Sequence, residues 1–144
     1  MLKQKEPNGS FFDSYVWDNF ISKDNKYVKI KSLINVDFIP ELVKDTYKNE
    51  NNRGNPSFDP RTLFLICVVE YLENLSDVHV VQRIAEMPVL KWFVNLTPSD
   101  KVPDDSTVSL FRAQSMGEEK FKEAFYKIVG QIKDMGLIDE QIQS

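Results

Sequence analysis

The chain has 144 residues with a formal net charge of −4, 42% hydrophobic and 12% aromatic side chains, and a single cysteine. That length fits one domain able to bury roughly 70% of its unfolded surface, and the apolar supply excludes a disordered chain. One cysteine excludes a disulfide framework and a cysteine metal site, and an acidic balance gives no general electrostatic pull toward nucleic acid.

Residues 1–10 read as a flexible tail without the apolar stretch of a signal peptide, so the chain is expected to be cytoplasmic. Phe11, Phe12, Tyr15, Val16, Trp17, Phe20 and Ile21 form an aromatic segment of mixed spacing, expected to dock on the core. Ser22 to Lys26 is a polar turn. From Tyr27 to Ile34 two readings stand: Val28 and Ile30 alternate as in a strand, while Tyr27, Ile30, Leu33 and Ile34 recur as on a helix face. The helical match is longer and predicts a short helix. Asp37 is then expected to cap a second helix bearing Ile39, Leu42, Val43 and Tyr47 on one side, with Pro40 tolerated in its first turn.

The next helix is the centre of the prediction. Gly54, Pro56 and Pro60 mark a loop, and Asp59-Pro60 is a helix start, with a carboxylate cap followed by proline at the first helical position. Every residue from Leu63 to Val69 is apolar, so this helix should be covered on all sides. The run is too short to span a membrane. Leu75 and Ser76 break it, and Ser76 can cap a short amphipathic helix carrying Val80, Val81, Ile84 and Ala85. Pro88 ends that helix and begins another with Leu90, Phe93 and Val94. Pro103-Asp104-Asp105-Ser106-Thr107 starts a third short helix, with Val108 and Phe111 inward and an end near Ser115 to Gly117. In the last helix Phe121, Ala124, Phe125, Ile128, Val129, Ile132 and Met135 follow the helical period, with Glu123 and Lys127 as an i,i+4 pair. Gly136 followed by Leu137 reads as a left-handed C-cap. With no internal repeat and no convincing strand pair, the expected fold is all-α: a compact multi-helix bundle whose C-terminal half resembles a helix-turn-helix around one buried central helix.

Catalytic groups are sparse. His79 is the only histidine, which rules out a histidine-pair metal site, and a lone histidine in a short helix reads as a surface or packing residue. Cys67 stands in an apolar run with no basic activator near it in sequence, and reads as a small core residue. Asp104 and Asp105 are adjacent, so their side chains do not face each other on a helix, and capping explains them better than acid–base or metal work. The remaining feature is the polar N-terminus of the third short helix, where free N–H groups and the Ser106 and Thr107 hydroxyls suit phosphates, with Arg112 farther along. All four arginines, Arg53, Arg61, Arg83 and Arg112, fall between residues 53 and 112, a segment with six basic and eight acidic side chains. Any basic face must therefore be local.

These residues carry a resemblance. Gly54-Asn55-Pro56-Ser57-Phe58-Asp59-Pro60-Arg61, then Glu70-Tyr71-Leu72, then Lys91-Trp92-Phe93-Val94-Asn95-Leu96, then Val102-Pro103-Asp104-Asp105-Ser106-Thr107 through Phe111-Arg112 occur in one order. In that order and spacing the chain resembles, over roughly residues 20–139, the N-terminal domain of bacterial insertion-sequence transposases of the InsH type. The resemblance implies a helical DNA-binding domain of a DDE transposase, one domain over residues 11–139, with residues 140–144 starting a linker to a catalytic domain absent from this chain. It implies no enzymatic activity for this chain, no cofactor in it, and a divalent metal only in that missing domain. The implied partner is DNA at the transposon ends, with a homo-oligomer formed through the parent protein, and with neither a membrane nor a small-molecule substrate. The implied DNA contacts are Ser106, Thr107 and Arg112, supported by Lys91, Arg83 and Arg61. Two features depart from the family pattern. The helix after Ser106-Thr107 carries a single arginine where the family is more basic, and Lys91 and Asn95 stand where the family has arginine and glycine. Each missing cation removes one phosphate contact and lowers the salt slope of binding by roughly one unit. A second reading is a protein–protein or oligomerisation module of the transposase, suggested by the aromatic segment from Phe11 to Ile21.

Overall fold

The structure, a computed structural model of the chain, describes residues 15, 19, 21–22, 24–46 and 58–136. The expected tail, most of the aromatic segment, Tyr47, Arg53, the Gly54-Pro56 loop, Leu137 and the expected linker lie outside the described residues. Among the described residues every regular element is helical: α1 (Lys26–Leu33), α2 (Ile39–Leu42), α3 (Pro60–Glu73), α4 (Asp77–Glu86), α5 (Pro88–Phe93), α6 (Asp105–Leu110), a π-helix (Phe111–Met116) and α7 (Glu118–Asp134). No described helix is long and apolar enough to cross a membrane.

The central helix forms as its sequence dictates. The Asp59 carboxylate accepts from the Arg61 N–H at 2.8 Å, Pro60 fills the first turn, and Thr62 through Val69 are all buried. Asn74 closes it in the left-handed region at φ 57, a conformation asparagine tolerates better than most residues. Around α3 pack α2, α4, α6 and the π-helix, while α1 lies against α5 and α7. Phe64, fully buried, meets the edges of Phe121 and Phe125 on α7 at 5.9 and 6.5 Å. Such pairs add about 0.5–1.5 kcal/mol each beyond their buried area.

The ambiguous stretch near Tyr27 is a helix. Asn25 caps it by accepting from the Tyr27 N–H, and Tyr27 and Ile30 are buried. Tyr27 sets its ring edge-on against Phe93 at 5.0 Å. Leu33, expected on the inner face, is exposed. The second helix needs a larger correction: α2 is a single turn and Asp37 does not cap it. The Asp37 N–H is taken by the Asn35 side chain at 2.8 Å, and its carboxylate reaches out to Arg61 at 3.1 Å. A side chain engaged there cannot turn back onto α2. Ile39 and Val43 are buried as expected.

Ser76 caps α4 by accepting from the His79 N–H, and Val80 and Ile84 are buried, but Ala85 is exposed, so the inner face is narrower than its apolar spacing suggested. The third short helix keeps its expected bounds, yet its second half is a π-helix. Phe111 and Met116, five apart and both buried, suit the i→i+5 hydrogen bonding of that form. Gly117 then turns the chain at φ 81, where any other residue would be strained, and α7 begins. Along α7, Ala124, Ile128, Val129 and Ile132 are buried with Phe121 and Phe125 half-covered, while Met135 falls past the last turn and is exposed. Lys127 places its ammonium 4.5 Å over the Phe38 ring, and the i,i+4 ion pair on this helix joins Lys122 to Glu118. Gly136 adopts φ 73, the left-handed cap its position predicted.

Truncating Phe64 to alanine should cost about 3–5 kcal/mol by leaving a cavity beside two aromatic rings. Tyr126→Ala, at a side chain 67% exposed, should change stability by less than about 0.5 kcal/mol. Urea denaturation of the two variants checks both values.

Candidate nucleic-acid interface

The start of α6 is built around one carboxylate. Asp104 Oδ1 accepts from the Thr107 N–H at 3.0 Å, the Thr107 hydroxyl at 2.8 Å and the Ser106 hydroxyl at 3.0 Å. The Thr107 backbone hydrogen bond, then the two hydroxyls, hold Asp104 below the usual carboxylate range. Both hydroxyl protons are thus turned into the cap. Beside this start lies a shallow pocket of about 460 Å³ with Val81, Ala85 and Val102 as apolar lining and Lys91, Lys101 and Asp104 among its polar lining. The Lys91 ammonium donates to the Pro98 carbonyl at 2.7 Å and the Asp100 carbonyl at 2.5 Å, holding the loop that leads into α6. Lys101, on the same rim and exposed, is not among the residues the sequence singled out. Its position just before the Val102-Pro103 helix start was the available signal.

Arg112 is elsewhere. Its guanidinium is held by Asp77 through two hydrogen bonds of 2.8 and 3.1 Å, by Glu70 at 3.3 Å, and lies 3.6 Å from the Cys67 sulfur. The cluster joins α3, α4 and the π-helix. Burial, then a hydrogen bond shared with Asp77, pushes the Glu70 carboxyl up to about 8. Burial also pushes Asp77 upward, but the hydrogen bonds from Glu70 and Arg112 outweigh it and hold that carboxyl below its usual range. Cys67 therefore does have a basic neighbour, contrary to the expectation from its apolar surroundings. Burial nonetheless prevails and pushes the thiol up to about 12, which leaves it unreactive.

The other two candidate arginines also serve within the fold. Arg83 pairs with Glu73 at 3.4 Å, and Glu73 accepts the Tyr27 hydroxyl, tying α4 and α1 to the end of α3. Arg61 pairs with Asp59 at 2.8 Å and Asp37 at 3.1 Å. Of the six candidates, Lys91 lines the pocket and Ser106 and Thr107 bond to Asp104 at its edge, while Arg112, Arg83 and Arg61 sit at three separate junctions. A further lysine was missed: Lys31 donates to the Trp92 carbonyl and the Asn95 side chain, both at 2.6 Å, with its ammonium 4.6 Å from the Trp92 ring centroid. Burial pushes it down to about 8. The tryptophan in Lys91-Trp92-Phe93 was the clue to a cation partner.

Among the described residues no three His, Cys, Asp or Glu side chains are grouped to hold a metal ion. Glu70 and Asp77 are brought to one place, where both bind the Arg112 guanidinium. Among the described residues none are grouped to hold the divalent metal of a DDE centre. His79 is exposed, its Nδ1 3.0 Å from the Ser76 hydroxyl.

Arg112→Ala should destabilise the fold by about 1–3 kcal/mol, because two half-buried carboxyl groups lose their counter-charge. Asp104→Ala should cost about 1 kcal/mol as a lost cap. Because Asp104 is held below its unfolded value, its contribution is present above the ordinary carboxylate range and disappears as pH falls through the lowered value. Denaturant midpoints at pH 7 and pH 3 check both.

The family model described as a transposase domain (DUF772) matches residues 15–114, a span that contains α1 through α6 and the start of the π-helix. Neither a curated protein nor a solved structure matches the chain. The matched span runs over the central helix, the α6 start and the Arg112 cluster alike, and the chain belongs to the DUF772 transposase-domain family.

Proposed function

We propose that this chain is a non-catalytic N-terminal domain of an insertion-sequence transposase, that it contributes to recognition of the terminal inverted repeats of its own element, and that catalysis rests with another part of the parent protein. The observation that carries the reading is the exposed, capped start of α6, flanked by Lys91 and Lys101, in a chain of a transposase-domain family. Ser106 and Thr107 stand nearest the phosphates in this reading, at a helix start whose Thr107 N–H and hydroxyl protons Asp104 holds in the free chain. Lys91 and Lys101 supply positive charge at the rim. Arg112, Arg83 and Arg61 hold the helices that present this face. Because Asp100 and Asp104 stand beside the two lysines, the rim is neutral in sum. Affinity per copy is then modest, and several copies on paired transposon ends supply the avidity.

One observation favours a second reading. Arg61, Arg83 and Arg112 are all in ion pairs within the fold, while Leu110 on α6 and Val78 on α4 are 52% and 45% exposed. A face poor in available arginine and bearing apolar side chains suits assembly of transposase subunits. A stable dimer by light scattering, with no affinity for element ends, is its signature.

For the leading reading, anisotropy of a labelled duplex carrying the terminal inverted repeat should show tighter binding than a scrambled duplex. Lys101→Ala should weaken binding and reduce the slope of log affinity against log salt by about one. Lys133→Ala, at the far end of α7, should leave both unchanged. Equal effects from the two substitutions would remove α6 from the DNA face.

A further inference from the structure

Glu70, Asp77 and Arg112 meet where three helices join, and their charges do not balance. One guanidinium faces two carboxyl groups whose side chains are 15% and 23% exposed. With both ionised, the site would enclose a net negative charge with little water to spread it. A single proton on the carboxyl pair removes that excess, and both carboxyls converge on the one guanidinium. A pocket of about 300 Å³, bounded by Tyr71, Asn74, Phe121 and Phe125, opens beside Glu70 and gives that proton a route to solvent.

The groups facing Glu70 are few. From α3 itself come Cys67, a thiol that burial keeps protonated, and the phenol of Tyr71. Asp77 comes from α4 and Arg112 from the π-helix. From α7 come only Phe121 and Phe125, which carry no charge.

We propose that Glu70, Asp77 and Arg112 form a proton-linked latch that holds the π-helix, and with it the α6 start bearing Ser106 and Thr107, against α3 and α4. The π-helix is the element such a latch can bias. It is a rare form used in short pieces, and moving one residue from a π turn to an α turn rotates the adjoining helix by about 100°. Arg112 lies inside it, and the Ser115 carbonyl at its far end accepts from the Thr46 hydroxyl, so both halves are held from outside. The consequence for DNA rests on the proposed function; the latch itself does not.

Glu70 sets the sign of the pH dependence. Its carboxyl in the folded chain is raised to about 8, above its unfolded range near 4.5. Its stabilising contribution is therefore full below that lower value and is lost as pH rises through about 8. Asp77 is shifted the other way and acts only in acid. Lys31, pushed down to about 8, makes stability rise with pH above that value, so its effect opposes that of Glu70.

Denaturant midpoints from pH 5 to pH 8, on the full chain and on Glu70→Gln, test the latch. The unaltered chain should lose stability between pH 5 and pH 8, below the range where Lys31 acts, and the variant, which carries no ionisation at this position, should show a flatter profile. Parallel profiles overturn the latch. A carbon-13 titration of the Glu70 carboxyl in the unaltered chain needs no variant: a midpoint near 8 supports the latch and one near 4.5 overturns it. Anisotropy with the inverted-repeat duplex over the same pH range should show affinity falling several-fold for the unaltered chain and less for Glu70→Gln. If neither binds DNA at pH 6 while the stability profiles diverge, the latch stands and the DNA reading falls.

Discussion

Everything in this domain depends on burying one helix on all sides. Thr62 to Val69 gives α3 an unbroken band of eight covered residues, and no single neighbouring helix could cover it. Four elements must close around it, and each is short because its task is to seal one flank and turn away. Sealing also sets the chemistry. The polar residues able to reach α3 sit at its ends, where Asp59, Glu70 and Glu73 each meet an arginine from outside or from the first turn. The three arginines Arg61, Arg83 and Arg112 thus mark the rim of the buried band.

That geometry explains which elements were legible in the sequence. Helix starts were readable because capping is local: Asp59, Ser76 and Asp104 each accept from an N–H two or three residues on, and nothing distant competes. Asp37 failed as a cap for the complementary reason, since Arg61, twenty-four residues away, draws its carboxylate off. Apolar periodicity placed α7, but it could not reveal that the segment from Phe111 to Met116, which carries the Asp77-bound Arg112, winds as a π-helix. Met135 was misplaced because periodicity carries no information about where a helix stops.

The candidate site was legible at one point and hidden elsewhere for the same reason. The polar start at Asp104 to Thr107 is a local motif and stands where its sequence placed it. Whether an arginine faces solvent or a carboxylate is a tertiary matter. Coulomb attraction at part-buried sites is several times stronger than in water, which applies to Arg112 with Glu70 and Asp77, whereas the more exposed pairs of Arg61 and Arg83 are weaker. Net charge, which already argued against a broad basic face, understated this: it counts an internal pair and an exposed one alike.

An acidic domain with Arg61, Arg83 and Arg112 engaged in ion pairs of its own would approach DNA in a particular way. Counterion release scales with the number of cations laid on phosphates, and here Lys91 and Lys101 stand with two aspartates beside them. At the start of α6 the partial positive charge on the N–H groups has its direction set by the helix axis and is met in the free chain by the Asp104 carboxylate. A charge on a flexible lysine can follow a phosphate; a helix terminus cannot. Recognition through such a terminus therefore depends on how firmly the helix is aimed, and the aim of α6 is set by the guanidinium that binds its continuation to α3 and α4. In this arrangement Arg112 bears on the aim of α6 through its ion pairs with Glu70 and Asp77.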